Sequence, residues 1–157
     1  MKKTMQLEIE GPIFHQAARC EPMMRSLPDW FAIEEAIVRY INEINSLPTF
    51  IASQHAQAVG FLSVKQHNQY SAEIHVLAVL PEMHRQGIGR QLVVHAEDYL
   101  RSRNVEYLHL KTLSDSHPDE GYARTRAFYS AAGFRPLEEL PTLWNEENPC
   151  LIMVKRL

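Results

Sequence analysis

Apolar residues recur along this chain at two different periods, and the change between them is sharpest between Ala72 and Leu100. From Ile74 to Leu80 every residue except His75 is apolar, branched side chains dominate, and Pro81 stops the run. That pattern predicts a strand buried on both faces. Beyond Gly89, Leu92, Val93, Ala96, Tyr99 and Leu100 return at helical spacing against Arg90, Gln91, Glu97, Asp98 and Arg101, which predicts an amphipathic helix. The period switches across a turn that carries Gly87 and Gly89.

The rest of the chain is read in the same way. Gln6 to Ile9 alternates weakly and predicts an edge strand that ends before Gly11-Pro12. Ala17, Ala18, Met23, Met24 and Leu27 suggest a short helix broken at Pro22. Asp29 is placed to cap the next helix, whose apolar stripe is Ile33, Ile37, Tyr40, Ile41 and Ile44. Thr49 to Ala52 and Ala58 to Val64 predict two strands that precede the motif strand in an antiparallel meander.

After the motif helix, Glu106 to Thr112 alternates as a strand, expected parallel to the motif strand through a right-handed crossover. A polar loop from Ser114 to Gly121 leads into a helix from Tyr122 to Ala132, with Gly133 closing it. Phe134 to Leu137 and Leu151 to Val154 predict a final strand pair, joined by a long loop through Trp144. The outcome is one α/β domain over residues 1–157 with a mixed, mainly antiparallel sheet flanked by helices.

Composition narrows the function classes. The net charge is −3 with no run of Lys or Arg, which argues against nucleic acid or an anionic membrane as partner. Met1-Lys2-Lys3-Thr4 could open a leader, but Gln6, Glu8 and Glu10 interrupt any apolar core, so a cytoplasmic protein is expected. Cys20 and Cys150 stand alone and far apart, and seven of the histidines fall on different predicted elements, so no metal site is expected.

The chemistry begins where the motif helix starts. No Ser, Thr, Asp or Asn stands there to cap its free N–H groups. A helix N-terminus carries roughly half a positive charge, and glycines admit an anion to bare backbone, so a phosphate or diphosphate is the natural occupant. Arg85 and Arg90 flank the turn. Two common nucleotide motifs are absent: there is no G-x-x-x-x-G-K-[ST], and no third glycine completes G-x-G-x-x-G.

These residues resemble motif A of the GNAT acyl-CoA N-acyltransferases, in which an L-A-V-x-P-like strand end precedes Q/R-x-x-G-x-G/A. Here L-A-V-L-P runs from Leu77 to Pro81 and H-R-Q-G-I-G from His84 to Gly89, with His84 where Gln or Arg is usual. A-F-Y-S-A-A-G-F from Ala127 to Phe134 resembles the family's F-Y-x-x-x-G-F ending, in the family's order. The resemblance implies the GNAT fold, with a V-shaped splay between the motif strand and its parallel neighbour. It also implies acetyl-CoA as acyl donor and N-acetyl transfer to a primary amine of a small molecule or peptide, by direct attack in a ternary complex. Cofactor contacts would come from Leu77, Ala78, Val79, His84, Arg85, Gln86, Gly87, Ile88, Gly89 and Arg90. Tyr122, at a position where many relatives carry an Asn, would add another. Members often pair as homodimers.

Acyl transfer sets two further tasks, a base for the amine and an acid for the departing thiolate. Glu73 resembles, by placement, the general-base glutamate of histone-acetylating members, with His75 in reserve on the same strand. Tyr129 matches the family's general-acid tyrosine, and Tyr122 and Arg126 share its helical face. Trp30, Phe31, Glu34, Glu35, the loop with Asp115, His117, Asp119 and Glu120, and the stretch from Trp144 to Glu147 mix rings and carboxylates. Such a mixture would suit a cationic acceptor. No Cys or Ser is set beside a base as a nucleophile. The competing class is a non-catalytic acyl-CoA-binding or sensor domain on the same fold.

Overall fold

The computed structural model describes residues 6–157, so residues 1–4, weighed above as the start of a leader, lie outside it. Seven strands form one sheet: β1 (Glu8–Ile13), β2 (Thr49–Gln54), β3 (Gln57–Gln66), β4 (Ser71–Val79), β5 (Tyr107–Leu113), β6 (Arg135–Asn145) and β7 (Asn148–Arg156). Their spatial order is β1-β2-β3-β4-β5-β7-β6. The helices are α1 (Ala17–Arg25), α2 (Glu34–Ile44), α3 (Ile88–Ser102) and α4 (Glu120–Ala131). Neighbouring strands run antiparallel except β4 and β5, which are parallel as expected.

Strand alternation divides the core into two layers. Phe50, Ala52, Leu62, Ala72 and Ile74 face α3 and Tyr129 of α4, where Leu92, Val93, Ala96 and Leu100 supply the motif helix's predicted stripe. Ile51, Phe61, Val76 and Ala78 face the other way, onto Cys20, Met23 and Met24 of α1 and Ile44 of α2. Cys20 and Cys150 are buried free thiols, and burial pushes the Cys20 thiol up to about 12.

Several boundaries differ from those expected. α1 runs through Pro22 instead of breaking there. Losing one intrahelical bond costs about 3 kcal/mol, and burying Cys20, Met23 and Met24 on one stripe, at roughly 1.5–3 kcal/mol for each methionine, offsets it. Asp29 lies in a turn and caps nothing; α2 begins at Glu34, with extended Ile33 before it and no side-chain cap. Glu34 and Glu35 complement the helix dipole in its first turn. Ile33, expected in the stripe, is exposed.

β1 continues through Gly11-Pro12 with a register shift between Glu10 and Ile13, which an edge strand tolerates because Pro forfeits only an outward donor. At the other edge, Trp144 is a strand residue of β6, and only Glu146 and Glu147 turn the hairpin. β6 is almost wholly exposed, and its Pro136, Glu138, Glu139 and Pro141 suit an outermost strand; it pairs with β7 from Arg135 and Val154 as expected, but runs on beyond Leu137, where no buried apolar alternation marks it.

One buried charge ties α3, α4 and β7 together. Glu97 on α3 is 4% exposed, and both its oxygens accept from Lys155 Nζ at 2.9 Å. The same ammonium donates to the Ala132 carbonyl at 2.9 Å. Replacing Lys155 with Met would leave that carboxylate in the core with only Arg101 beside it. Lys155→Met is therefore expected to destabilise the fold by about 3 kcal/mol in urea melts, and a loss under about 1 kcal/mol would contradict the clamp.

Candidate active site

The parallel strands stay together only briefly. Ser71 pairs with Tyr107, Ala72 with Leu108 and Glu73 with His109, and there the ladder ends. β5 turns its remaining length to β7, while β4 runs on along β3 to the pair of Val79 with Gly60. The register of β4 against β3 slips at His75, between the pairs Val64–Ile74 and Ser63–Val76, which marks a bulge. From Ile74 to Val79, β4 therefore has a strand partner on one side and an open edge on the other. A cavity of about 810 Å³ occupies that opening, and Leu77, Ala78 and Val79 line it.

At the far end of β4 the chain turns into α3 through two left-handed residues, Arg85 at φ 65° and Gly87 at φ 79°. Gly87 sits at the N-cap position with no side-chain cap, and the first intrahelical bond is Gln91 N–H to the Gly87 carbonyl at 3.1 Å. The amides of Ile88, Gly89 and Arg90 are thus left for an external acceptor. The two glycines serve different ends. A Cβ on Gly87 would meet nothing within 4 Å, so there the backbone conformation selects glycine; on Gly89 it would lie 3.2 Å from the Phe128 ring, so there α4 packs against the helix start.

His84, Arg85, Gly87, Ile88, Gly89 and Arg90 border the cavity, as does Met83, which the sequence reading missed. The His84 ring bonds the Val79 carbonyl through Nε2 at 2.8 Å, pinning the turn to the end of β4. Gln86 is the exception: it does not line the cavity, and its side chain reaches back toward the Glu82 carbonyl at 3.5 Å.

α4 forms the opposite wall. Asp119 caps it by accepting from the Tyr122 amide at 2.9 Å. Tyr129 is 7% exposed, lies edge-on to Phe128 and Phe134, and lines the cavity. Burial pushes its phenol well above the usual tyrosine range, so it stays protonated across the physiological range. Burial also raises Tyr122, to about 12, and its hydroxyl donates to the Trp30 carbonyl at 3.3 Å. Arg126 is spent within the protein, donating to the Leu113 carbonyl at 2.6 Å.

The sheet face beside α2 carries a charge network. Lys111 Nζ donates to Glu73 Oε2 at 2.8 Å, and His67 Nε2 lies 2.8 Å from Glu73 Oε1. Burial alone would raise the Glu73 carboxyl, but these hydrogen bonds and the charges of Lys111 and His109 outweigh it and hold it below its ordinary range. Glu73 does not itself line the cavity; His75 and Lys111 do. His75 Nε2 is bonded to Glu43 Oε2 of α2, and its ring packs edge-on to Tyr40 at 5.5 Å.

Two expectations change here. The histidines are not all scattered: His67 and His109 stack at 5.2 Å, and with Glu73 they bring ligand atoms within 4.8 Å of one another. The Lys111 ammonium is already bonded to that carboxylate, so a cation entering the trio would meet a positive charge. The aromatic residues Trp30, Phe31 and Trp144 do reach the cavity, but among the described residues no Asp or Glu lines it. Glu34 is instead paired with Arg25, and Asp119 is occupied as a cap.

The family model of the acetyltransferase (GNAT) family matches residues 13–134. An uncharacterized N-acetyltransferase of Chlorobaculum tepidum is 29% identical over 105 residues, which is 67% of this chain and 57% of that protein, so the chain spans little more than half its relative's length. A solved GNAT-family structure from Desulfovibrio desulfuricans aligns with a TM-score of 0.84 at 16% identity, covering 96% of this chain and 99% of the other. The PaiA N-acetyltransferase of Thermoplasma acidophilum, solved with coenzyme A, aligns at 0.75 with 20% identity, covering 98% and 100%. The seven-stranded sheet and its parted parallel pair are those of this fold. With the family match running from the last residue of β1 to just beyond α4, the chain belongs to the GNAT acetyltransferase family.

Proposed function

We propose that this protein transfers an acetyl group from acetyl-CoA to a primary amine of a small molecule or peptide, by direct attack within a ternary complex. The observation that carries the reading is the conjunction, in one cavity, of an open strand edge, an uncapped helix start and a buried tyrosine. The amides of Ile88, Gly89 and Arg90 receive the diphosphate, with Arg85 and Arg90 adding charge. The open edge of β4 from Ile74 to Val79 accepts the amide-bearing arm as an added strand would be accepted. When bound, acetyl-CoA supplies the thioester; β4 amides beyond the bulge offer N–H donors to its carbonyl oxygen as charge builds there.

Removing the proton of an ordinary amine at neutral pH costs roughly 4–5 kcal/mol. We assign its removal to His75 rather than Glu73. A carboxylate accepts only from N–H, so Glu43 fixes the proton on His75 Nε2 and leaves Nδ1 as the acceptor. Both Glu73 oxygens are engaged, and its depressed proton affinity makes it a weak base; its part is to position Lys111. Tyr129 returns a proton to the leaving thiolate. No nucleophilic enzyme group is needed, and the Tyr129 and His75 positions favour catalysis over mere sensing.

Gly87→Val is expected to weaken coenzyme A binding at least about tenfold in calorimetry, since a β-branched residue resists positive φ at the diphosphate turn. Unchanged affinity would contradict the cradle. Tyr129→Phe is expected to lower kcat between about tenfold and a thousandfold with little change in donor KM, because a thiol leaves readily even unprotonated. An unaltered kcat would remove the acid role.

Glu73→Gln is expected to cost about 2 kcal/mol of stability at pH 7. The folded carboxyl titrates below its ordinary 4.5, so its contribution is complete above that pH and is lost as pH falls through the depressed value. Denaturant melts should therefore show the gap between Glu73→Gln and wild type closing as the pH falls below 4.5. The same variant should keep the wild-type shape of the kcat/KM pH profile, which His75→Gln should distort. The opposite pattern would return the base role to Glu73.

A further inference from the structure

The acceptor end of the cavity discriminates among amines by what it lacks. Trp30, Phe31, Tyr40, Tyr122 and Trp144 give it an aromatic wall, and among the described residues no carboxylate lines it. Four of these rings are held in place. Trp30 Nε1 donates to Thr125 Oγ1 at 3.2 Å, its carbonyl accepts from Tyr122, and Phe31 lies edge-on to Tyr40 at 6.1 Å.

The fully charged side chains that border the cavity are all cations: Arg85 and Arg90 at the turn, Arg124 on α4, and Lys111. Lys111 borders the cavity from β5, with its side chain 31% exposed. One of its three N–H donors goes to Glu73, and among the described residues no other acceptor takes the remaining two. Glu73 is itself held by His67 on its other oxygen, so the ammonium is anchored from behind with donors to spare. Three acidic side chains are engaged elsewhere, Glu43 on His75, Glu34 on Arg25 and Asp119 on the α4 cap, and Glu35, Asp115, Glu120, Glu146 and Glu147 do not line the cavity.

From this juxtaposition we infer that the acceptor is an amine that also carries a carboxylate and an aromatic or otherwise apolar body, an amino acid of the phenylalanine type. Lys111 receives the carboxylate, the rings cover the body, and His75 faces the amine. This inference rests on the transferase reading and deepens it. A polyamine or aminoglycoside brings further ammonium groups, which would meet Lys111 with no carboxylate in the wall to pair them; repulsion of the alternative contributes to selectivity as much as attraction of the substrate.

Three probes separate the possibilities: L-phenylalanine, phenethylamine, which keeps the ring and amine but lacks the carboxylate, and spermidine. Each is assayed by thiol release from acetyl-CoA and by calorimetric binding to the protein–coenzyme A complex. L-Phenylalanine is expected to lead both others at least about tenfold in kcat/KM and in affinity, the weight of one charge-assisted contact. In Lys111→Met the ratio of L-phenylalanine to phenethylamine should fall to near one through KM, and Lys111→Arg should restore much of it.

Equal or better use of phenethylamine or spermidine by the wild-type protein, binding of none of the three, or an intact ratio in Lys111→Met would overturn the inference. The wild-type comparison decides even if the variant does not fold. Release of thiol with spermidine preferred would refute the acceptor class and leave the transferase standing. The expected binding preference without any thiol release would refute the transferase and leave the recognition standing.

Discussion

The structure depends on the parting of two parallel strands. In a sheet, a strand's backbone groups are satisfied by its neighbours, and the edge of β4 facing β5 loses that partner after Glu73. The bulge at His75 falls next to the point of separation, and the helix that follows β4 starts without a cap. An unpaired strand edge and bare helix amides thus meet along one cavity. Each alone would be a liability to be covered; together they match an extended, amide-bearing arm joined to a diphosphate.

Around that opening the electrostatics are divided by wall. The turn into α3 presents Arg85 and Arg90, α4 presents phenols that burial keeps protonated, and the face beside α2 holds its carboxylates one step back, on Lys111 and His75. Glu73 links fold to site. It closes the last pair of the parallel ladder and holds Lys111 at the cavity's border. Its buried, fully bonded carboxylate suits anchoring better than proton exchange with solvent.

What could be read in advance follows from how local the determining physics is. The strand from Ile74, the glycine turn, the uncapped α3 and the helix holding Tyr129 rest on periodicity and on residues adjacent in sequence, and they stand where the pattern put them. Asp29 and Pro22 misled because propensity yields to burial: α1 keeps its stripe through the proline, and α2 starts beyond the turn. Only the first residues of β6, up to Leu137, were legible, because the exposed edge strand beyond them has no buried face to alternate against. The approach of His67 to His109, the Glu43–His75 bond and the engagement of Glu73 with Lys111 join residues distant in sequence, and the lack of carboxylates in the cavity wall among the described residues is likewise a property of the folded chain. No spacing rule encodes such contacts.

Where the carrier lies is decisive, and a crystal structure of the protein grown with coenzyme A measures that directly. The diphosphate oxygens are expected within hydrogen-bonding distance of the Ile88, Gly89 and Arg90 amides, with the pantetheine arm laid along Ile74 to Val79. Coenzyme A bound elsewhere, or a β4 edge and α3 start filled by the chain's own side chains in its presence, would contradict it.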